Sequence, residues 1–169
     1  EALIVDYNTI APPLAPKGAI GEPIPNDVET QARALILDGQ APPAAWAPLI
    51  GSLNFAGTEL NDVTLLTELT ELRSLYLDRT QVVDVTPLAS LTILRNLYLS
   101  GTQVSDIEPL ATLKMLRNLY LNGTPVQDVT PLESLKALQN LYLNGTQVSD
   151  LRPLAGLKVI DCSTVLAGP

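Results

Sequence analysis

A phrase of seventeen residues returns along this chain at a constant interval of 22 residues. Four copies open at positions 72, 94, 116 and 138 and read LRSLYLDRTQVVDVTPL, LRNLYLSGTQVSDIEPL, LRNLYLNGTPVQDVTPL and LQNLYLNGTQVSDLRPL. A more divergent copy, IGSLNFAGTELNDVTLL, opens at Ile50. Because a period of 20 to 50 residues is typical of solenoids and other repeat arrays, we expect five stacked turns of equivalent structure.

Each turn is predicted to contain one strand and one return segment. In L-x-x-L-x-L, alternate apolar residues such as Leu97 and Leu99 point to the same side of a short strand. The following D-x-x-P-L-x-x-L changes to a spacing of three, which favours a 3-10 or short helical return. Turns stacked about 4.8 Å apart would then form a parallel sheet over one continuous core. That core is aliphatic, since 46% of the residues are apolar but only 4% are aromatic.

The repeats resemble the leucine-rich repeats of bacterial surface proteins of the internalin type, which share the 22-residue length and the D-[IV]-x-P-L return. The resemblance covers residues 50 to about 156. It implies an α/β solenoid, a right-handed leucine-rich-repeat superhelix with a parallel concave sheet and 3-10 or short helical convex returns. It also implies a surface or secreted location, although the residues themselves leave a cytoplasmic one open.

One column departs from that family, because threonine stands where asparagine is usual. These residues are Thr58, Thr80, Thr102, Thr124 and Thr146. A hydroxyl has fewer hydrogen-bonding groups than an amide, so we expect the usual asparagine ladder to be weakened.

The flanks are predicted to cover the open ends of the core. Asn26 or Asp27 is placed to cap a helix that Gly39 would end, and Trp46 follows in a second short turn. The apolar face of this helix comprises Val28, Ala32, Leu35 and Ile36. We divide the chain into an N-terminal segment with a proline-rich linker (1–25), a helical N-terminal cap (26–49), five leucine-rich repeats (50–156) and a truncated repeat or C-terminal cap (157–169).

Several functional classes are disfavoured by composition. A net charge of −8 argues against nucleic-acid binding, and no stretch approaches the ~20 apolar residues of a membrane span. Histidine is absent, which removes Ser-His and Cys-His pairs and the commonest zinc ligand, so we expect neither an enzyme nor a cofactor. Cys162 is expected to replace a core leucine. Because the start has no initiator Met and no basic n-region, we expect a processed or excised fragment.

An aspartate column recurs before the return segments. It comprises Asp62, Asp84, Asp106, Asp128 and Asp150. The spacing favours caps of the returns, while carboxylates stacked ~5 Å apart leave calcium binding as the alternative. We prefer the caps because they need no ion.

The residues between the inward leucines must point outward. The candidate partner-binding residues are Tyr76, Tyr98, Tyr120 and Tyr142, then Asn96, Asn118 and Asn140, with Arg73, Arg95 and Arg117 at the margin. Tyrosine and asparagine are enriched in recognition surfaces. Near-identical copies also suit plain duplication of a stacking residue, so a pure scaffold stays open.

We therefore predict a non-enzymatic protein-protein interaction module that binds a protein or peptide on the concave Tyr/Asn face, as a monomer. The alternative is a structural spacer or regulatory arm of a larger enzyme or signalling protein, reached through the linker. Carbohydrate binding by the tyrosines is the weaker alternative.

Overall fold

A computed structural model describes residues 24–158 and the backbone of residues 161–163. Several predictions concern residues outside this part: the N-terminal segment and linker up to residue 23, residues 159–160 and 164–169 of the expected C-terminal cap, and the side chain of Cys162.

Six parallel strands form one sheet in chain order within the described residues. The strands are β1 Ser52–Asn54, β2 Ser74–Tyr76, β3 Asn96–Tyr98, β4 Asn118–Tyr120, β5 Asn140–Tyr142 and β6 Asp161–Ser163. From β1 to β5 each residue pairs with the one 22 positions later, for example Leu75 with Leu97. From β5 to β6 the pairing of Leu141 with Cys162 has an offset of one fewer residue, so the backbone of Cys162 continues the register of the core leucines.

The return segments are 3-10 helices, as predicted. They span Thr64–Leu66, Thr86–Ser90, Glu108–Thr112, Thr130–Ser134 and Arg152–Leu154. The last four have proline in their first turn, where the missing N–H has no helical partner to lose. Leu110 of a return and Leu97 of a strand are both fully buried, and the repeats share one hydrophobic core. The predicted leucine-rich solenoid is therefore confirmed.

The threonine column closes each turn locally. Thr80, Thr102 and Thr124 are buried, and the Thr102 hydroxyl donates to the carbonyl of Leu99 at 2.7 Å. The other members make the same bond to the carbonyl three residues earlier. The threonines therefore form no ladder between turns of the kind that asparagine forms in the internalin family, because each short side chain reaches only the backbone of its own turn.

The helical cap covers the first turn. Helix α1, Val28–Leu37, buries its predicted apolar face, and a 3-10 helix over Ala44–Leu49 buries Trp46. Gly39, at φ +73°, follows the end of α1. Asp27 is the N-cap residue, but its carboxylate accepts a bond from the Gln31 side chain instead of a backbone N–H.

Side chains of α1 also complete the hydrogen bonds of β1. One carboxylate oxygen of Glu29 accepts the N–H groups of Gly51 at 3.1 Å and Ser52 at 2.7 Å. Nε of Arg33 donates to the carbonyl of Asn54 at 2.5 Å. The helix thus occupies the place of a preceding strand, which protects the edge of the sheet from pairing with another chain.

Candidate functional site

The sheet face is the solvent side of β2–β5, formed by the outward residues of three columns. The asparagine column comprises Ser74, Asn96, Asn118 and Asn140; the tyrosine column comprises Tyr76, Tyr98, Tyr120 and Tyr142; the third column comprises Asp78, Ser100, Asn122 and Asn144. All these side chains are half-buried, whereas the leucines between them are buried. The face corresponds to the predicted concave Tyr/Asn surface.

The tyrosine rings stack directly on one another. Adjacent ring centroids lie 4.4 Å apart at each of the three steps, with interplanar angles of 15°, 11° and 9°. Ring faces within the column are therefore covered by neighbouring rings, and solvent reaches the ring edges and hydroxyl groups. Burial in the column, and then the neighbouring Tyr120 and Tyr76, raise the pKa of Tyr98 to about 12.

The asparagine column is a hydrogen-bonded ladder. Nδ2 of Asn96 donates to the Ser74 hydroxyl at 2.8 Å, and Nδ2 of Asn118 donates to Oδ1 of Asn96 at 2.5 Å. Asn140 donates to Asn118 in the same way. The amide of Asn118 thus uses one N–H and one acceptor site in hydrogen bonds to its neighbours in the column. The structure thus brings the predicted site residues Asn96, Asn118 and Asn140 together and joins them by hydrogen bonds to one another.

The third column links adjacent turns by hydrogen bonds between a side chain and the backbone of the next turn. Oδ1 of Asp78 accepts the N–H of Ser100, and Oδ1 of Asn122 accepts the N–H of Asn144, both at 2.9 Å. Three columns of contacts between neighbouring turns therefore hold the sheet face in a fixed shape.

The predicted arginine column lies where the chain enters the strands. Arg73, Arg95 and Arg117 are exposed and occupy successive turns, since Arg95 N–H donates to Arg73 O and Arg117 N–H to Arg95 O. Residues 24–158 contain one ion pair, between Arg152 and Asp150 at 2.7 Å. Within that part of the chain, no carboxylate neutralises the three guanidinium groups.

Sequence reasoning missed a second basic column beside the first. Lys114, Lys136 and Lys158 are exposed in the turns that precede β4, β5 and β6. Met115 lies between the two columns and exposes 42% of its surface. The spacing of 22 between the lysines was the signal that could have revealed them. We call the six cations of the two columns the basic rim.

The aspartate column caps the returns. Oδ1 of Asp106 accepts the N–H of Glu108, and the other four aspartates make the equivalent bond two residues ahead. Hydrogen bonds from the Thr64 side chain and backbone lower the pKa of Asp62. Arg152 lowers the pKa of Asp150 to about 2. The described residues contain no group of three His, Cys, Asp or Glu side chains that could hold a metal ion.

The chain matches known proteins over its repeats. The family profile "Leucine Rich repeats (2 copies)" matches residues 94–134 and 114–156. No curated protein sequence matches the chain. Among the described residues, no helix has the length and apolar character needed to cross a membrane.

Solved structures extend the comparison. An internalin C2 of Listeria monocytogenes is 36% identical with a TM-score of 0.68, over 72% of this chain and 55% of that one. An internalin (inlF) of the same species is 29% identical with a TM-score of 0.71, over 82% and 42%. A leucine-rich-repeat protein of Leptospira interrogans, 22% identical with a TM-score of 0.61 over 70% and 33%, shares the fold.

This chain spans 55% and 42% of the two internalins. Leucine-rich-repeat folds of this kind are protein-interaction modules in general. The period, the sheet, the returns and these comparisons agree: the chain is a bacterial, internalin-like leucine-rich-repeat protein.

Proposed function

We propose that this chain is a non-enzymatic, monomeric binding module that holds a protein or peptide on its sheet face without a cofactor. One observation carries the proposal: Arg73, Arg95 and Arg117 stand exposed at the margin of the sheet face, next to the asparagine column, with no carboxylate partner in the described residues of a chain whose net charge is −8. Adjacent unpaired like charges repel one another, so an external anionic group placed there would be attracted.

The rigidity of the face supports the same proposal. The asparagine ladder and the stacked tyrosines fix their side chains before any ligand arrives. Little rotamer entropy remains to be lost on binding, which favours affinity. Tyrosine edges and hydroxyls then offer apolar contact and hydrogen bonds together.

Carbohydrate binding has less support than the sequence alone suggested. A sugar ring would need a free aromatic face on which to stack. The inner faces of the tyrosine column are already occupied at 4.4 Å by neighbouring rings. The spacer alternative stays open, because the same columns would also stiffen an arm.

The matched substitutions Ser100→Arg and Ser105→Arg test the proposal. Ser100 belongs to the third column of the sheet face, whereas Ser105 is exposed beyond the strand, beside the aspartate column. Peptides would be selected from a phage library on the wild-type protein and measured on both variants. We expect binding to fall by at least tenfold for Ser100→Arg and by less than twofold for Ser105→Arg. Equal affinity for both variants would refute the sheet face as the site, and failure to select any peptide would favour the spacer.

The role of the tyrosine hydroxyl groups in binding is best tested with a substitution that keeps the aromatic rings. Replacing both Tyr98 and Tyr120 by Ala would remove the stacked rings and lower stability as well as binding. The double variant Tyr98→Phe/Tyr120→Phe keeps the rings. We expect unchanged unfolding and a several-fold loss of peptide affinity, measured by calorimetry.

A further inference from the structure

We propose that the basic rim recognises an acidic, extended protein segment that carries an apolar side chain. This inference rests on the proposed binding of a protein or peptide, not on the sheet face as its site, and deepens it by naming the chemistry of the partner. The rim comprises Arg73, Arg95, Arg117, Lys114, Lys136 and Lys158.

Charge segregation is the first argument. Six of the ten Lys and Arg residues of the chain lie on this one rim, although the chain has 18 Asp and Glu residues. Glu71 is the acidic residue nearest in sequence to Arg73, yet the described part of the chain places no carboxylate within 4.0 Å of a rim cation. The aspartates engage the returns instead. The rim is thus a strip of positive charge without ion pairs in the described residues of an acidic protein, although Glu108 and Glu133 line the same shallow cavity as Lys136.

Apolar surface between the two basic columns is the second argument. Met115 exposes 42% of its surface, and Ile93 and Ala137 occupy the same position in the adjacent turns, half-buried. A purely anionic polymer, such as a sulfated glycan or a nucleic acid, would leave this apolar line uncovered. A peptide can place a leucine or similar side chain on it while carboxylates contact both columns.

The dimensions of the rim suit a short extended segment. Successive arginines are about one strand spacing apart, roughly 4.8 Å, so the rim is on the order of 20 Å long. An extended peptide rises about 3.3 Å per residue, so about six residues would cover it. Guanidinium groups in such a row can each hold a carboxylate by two parallel hydrogen bonds.

The test uses the peptide EELEELEE, with blocked ends, and two charge-matched variants of the protein. Arg95→Gln/Arg117→Gln alters the rim, whereas Arg79→Gln/Arg152→Gln removes two cations elsewhere. Each lowers the net charge from −8 to −10, because two positive charges are lost. Fluorescence anisotropy would measure the affinity. We expect the Kd to rise about tenfold for Arg95→Gln/Arg117→Gln and to change by less than about twofold for Arg79→Gln/Arg152→Gln. Equal weakening would overturn the proposal, since only net charge would then matter.

Met115→Gln separates a peptide partner from a polyanion. We expect about threefold weaker binding of EELEELEE and no change for an all-glutamate octapeptide. A heparin oligosaccharide that binds the wild type more tightly than EELEELEE would overturn the proposal in favour of a glycan. No measurable binding of the peptide at millimolar concentration would overturn it as well.

The two proposals fail in different ways. Ser100→Arg obstructs the sheet face and leaves all six rim cations in place, so its effect on library-selected peptides reports on the face alone. If that variant is silent while the rim variant loses EELEELEE, the sheet-face proposal fails and the acidic-segment proposal stands. If Ser100→Arg abolishes binding of selected peptides while the rim variant keeps EELEELEE, the reverse holds.

Discussion

The carboxylate of Glu29 accepts the backbone N–H of Ser52 at 2.7 Å, where the strands β2 to β5 find a carbonyl oxygen of the preceding turn. Between turns two and three, for example, the N–H groups of Arg95 and Asn96 both donate to the carbonyl of Arg73. A side chain therefore substitutes for a backbone group at the first edge of the sheet, and it does so from a helix.

Removing this carboxylate should loosen the first turn. We expect Glu29→Ala to lower the free energy of unfolding by about 1 kcal/mol, because two N–H groups at the edge lose a charged acceptor. Urea denaturation would measure the loss, and hydrogen exchange should accelerate at the amides of Gly51 and Ser52. Glu68→Ala replaces an exposed glutamate just after the first return; it is the control and should change stability by less than about 0.5 kcal/mol, the size of an ordinary surface substitution. Unchanged exchange at Ser52 would contradict the assignment.

The period predicts far more of the fold than of the cap. The pairing of Asn96 with Asn118 follows from the spacing of 22 alone, because identical turns leave no competing register. Glu29 also stands 22 residues before Gly51, so the period extends into the cap, but a helix there carries no strand pattern that would reveal the contact.

Side-chain direction explains what was missed on the sheet face. Alternation predicts correctly that Tyr98 and Asn118 point outward. Alternation does not predict that the tyrosine rings stack or that the asparagine amides form hydrogen bonds with each other. Both contacts depend on the side-chain rotamers of the equivalent residues in adjacent turns. The tyrosines and asparagines predicted to form a recognition surface therefore also stabilise the sheet through contacts with one another.

Alkaline titration should expose the tyrosine column. The pKa of Tyr98 is raised to about 12 in the folded protein, against 10.0 for the ordinary phenol. A raised folded pKa means that the contribution to stability is complete below pH 10 and is lost as the pH rises through about 12. We expect the wild type to lose stability over this interval and Tyr98→Phe to lose less. Carbon NMR of the Tyr98 ring would follow the titration, and an apparent pKa near 10 would contradict the stacked environment.

Arg79 is held in a conformation that glycine adopts elsewhere. Its φ is +55°, whereas the corresponding residues Gly57, Gly101, Gly123 and Gly145 have φ between +67° and +71°. We expect Arg79→Gly to raise the free energy of unfolding by about 0.5–1 kcal/mol, because the left-handed region strains a residue with a Cβ. Arg79→Ala keeps the strain and serves as the control. A gain shared by both variants would point to charge instead of backbone conformation.

The buried threonine hydroxyls should matter individually. Thr102→Val keeps the shape but removes the donor to Leu99, and we expect a loss of about 1 kcal/mol in the free energy of unfolding. Thr92→Val, at an exposed position without a side-chain bond in the structure, is the matched control. Thermal or urea unfolding of both variants would decide, and equal effects would contradict a structural role for the threonine column.

Acid should weaken the caps of the returns. The pKa values of Asp84 and Asp128 are lowered by bonds from the side chain and backbone N–H of the threonine that follows. A lowered folded pKa means that stability present above pH 3.8 is lost as the pH falls through the folded value. We expect Asp128→Ala to be less stable at neutral pH and to show a shallower acid transition. The Tm of the wild type should be equal in calcium and magnesium, and a rise of several degrees in calcium alone would favour the ion-binding alternative.

Each column joins a residue to its own counterpart one turn away, which makes the molecule tolerant of a change that would ruin most folds. Excision of 22 residues within the array would bring Tyr76 against Tyr120 and Ser74 against Asn118, so the bonds broken on one side would be remade on the other. Whole turns can therefore be added or lost by recombination between nearly identical segments. The length of the sheet face is then inherited with the number of turns and changes in steps of one strand.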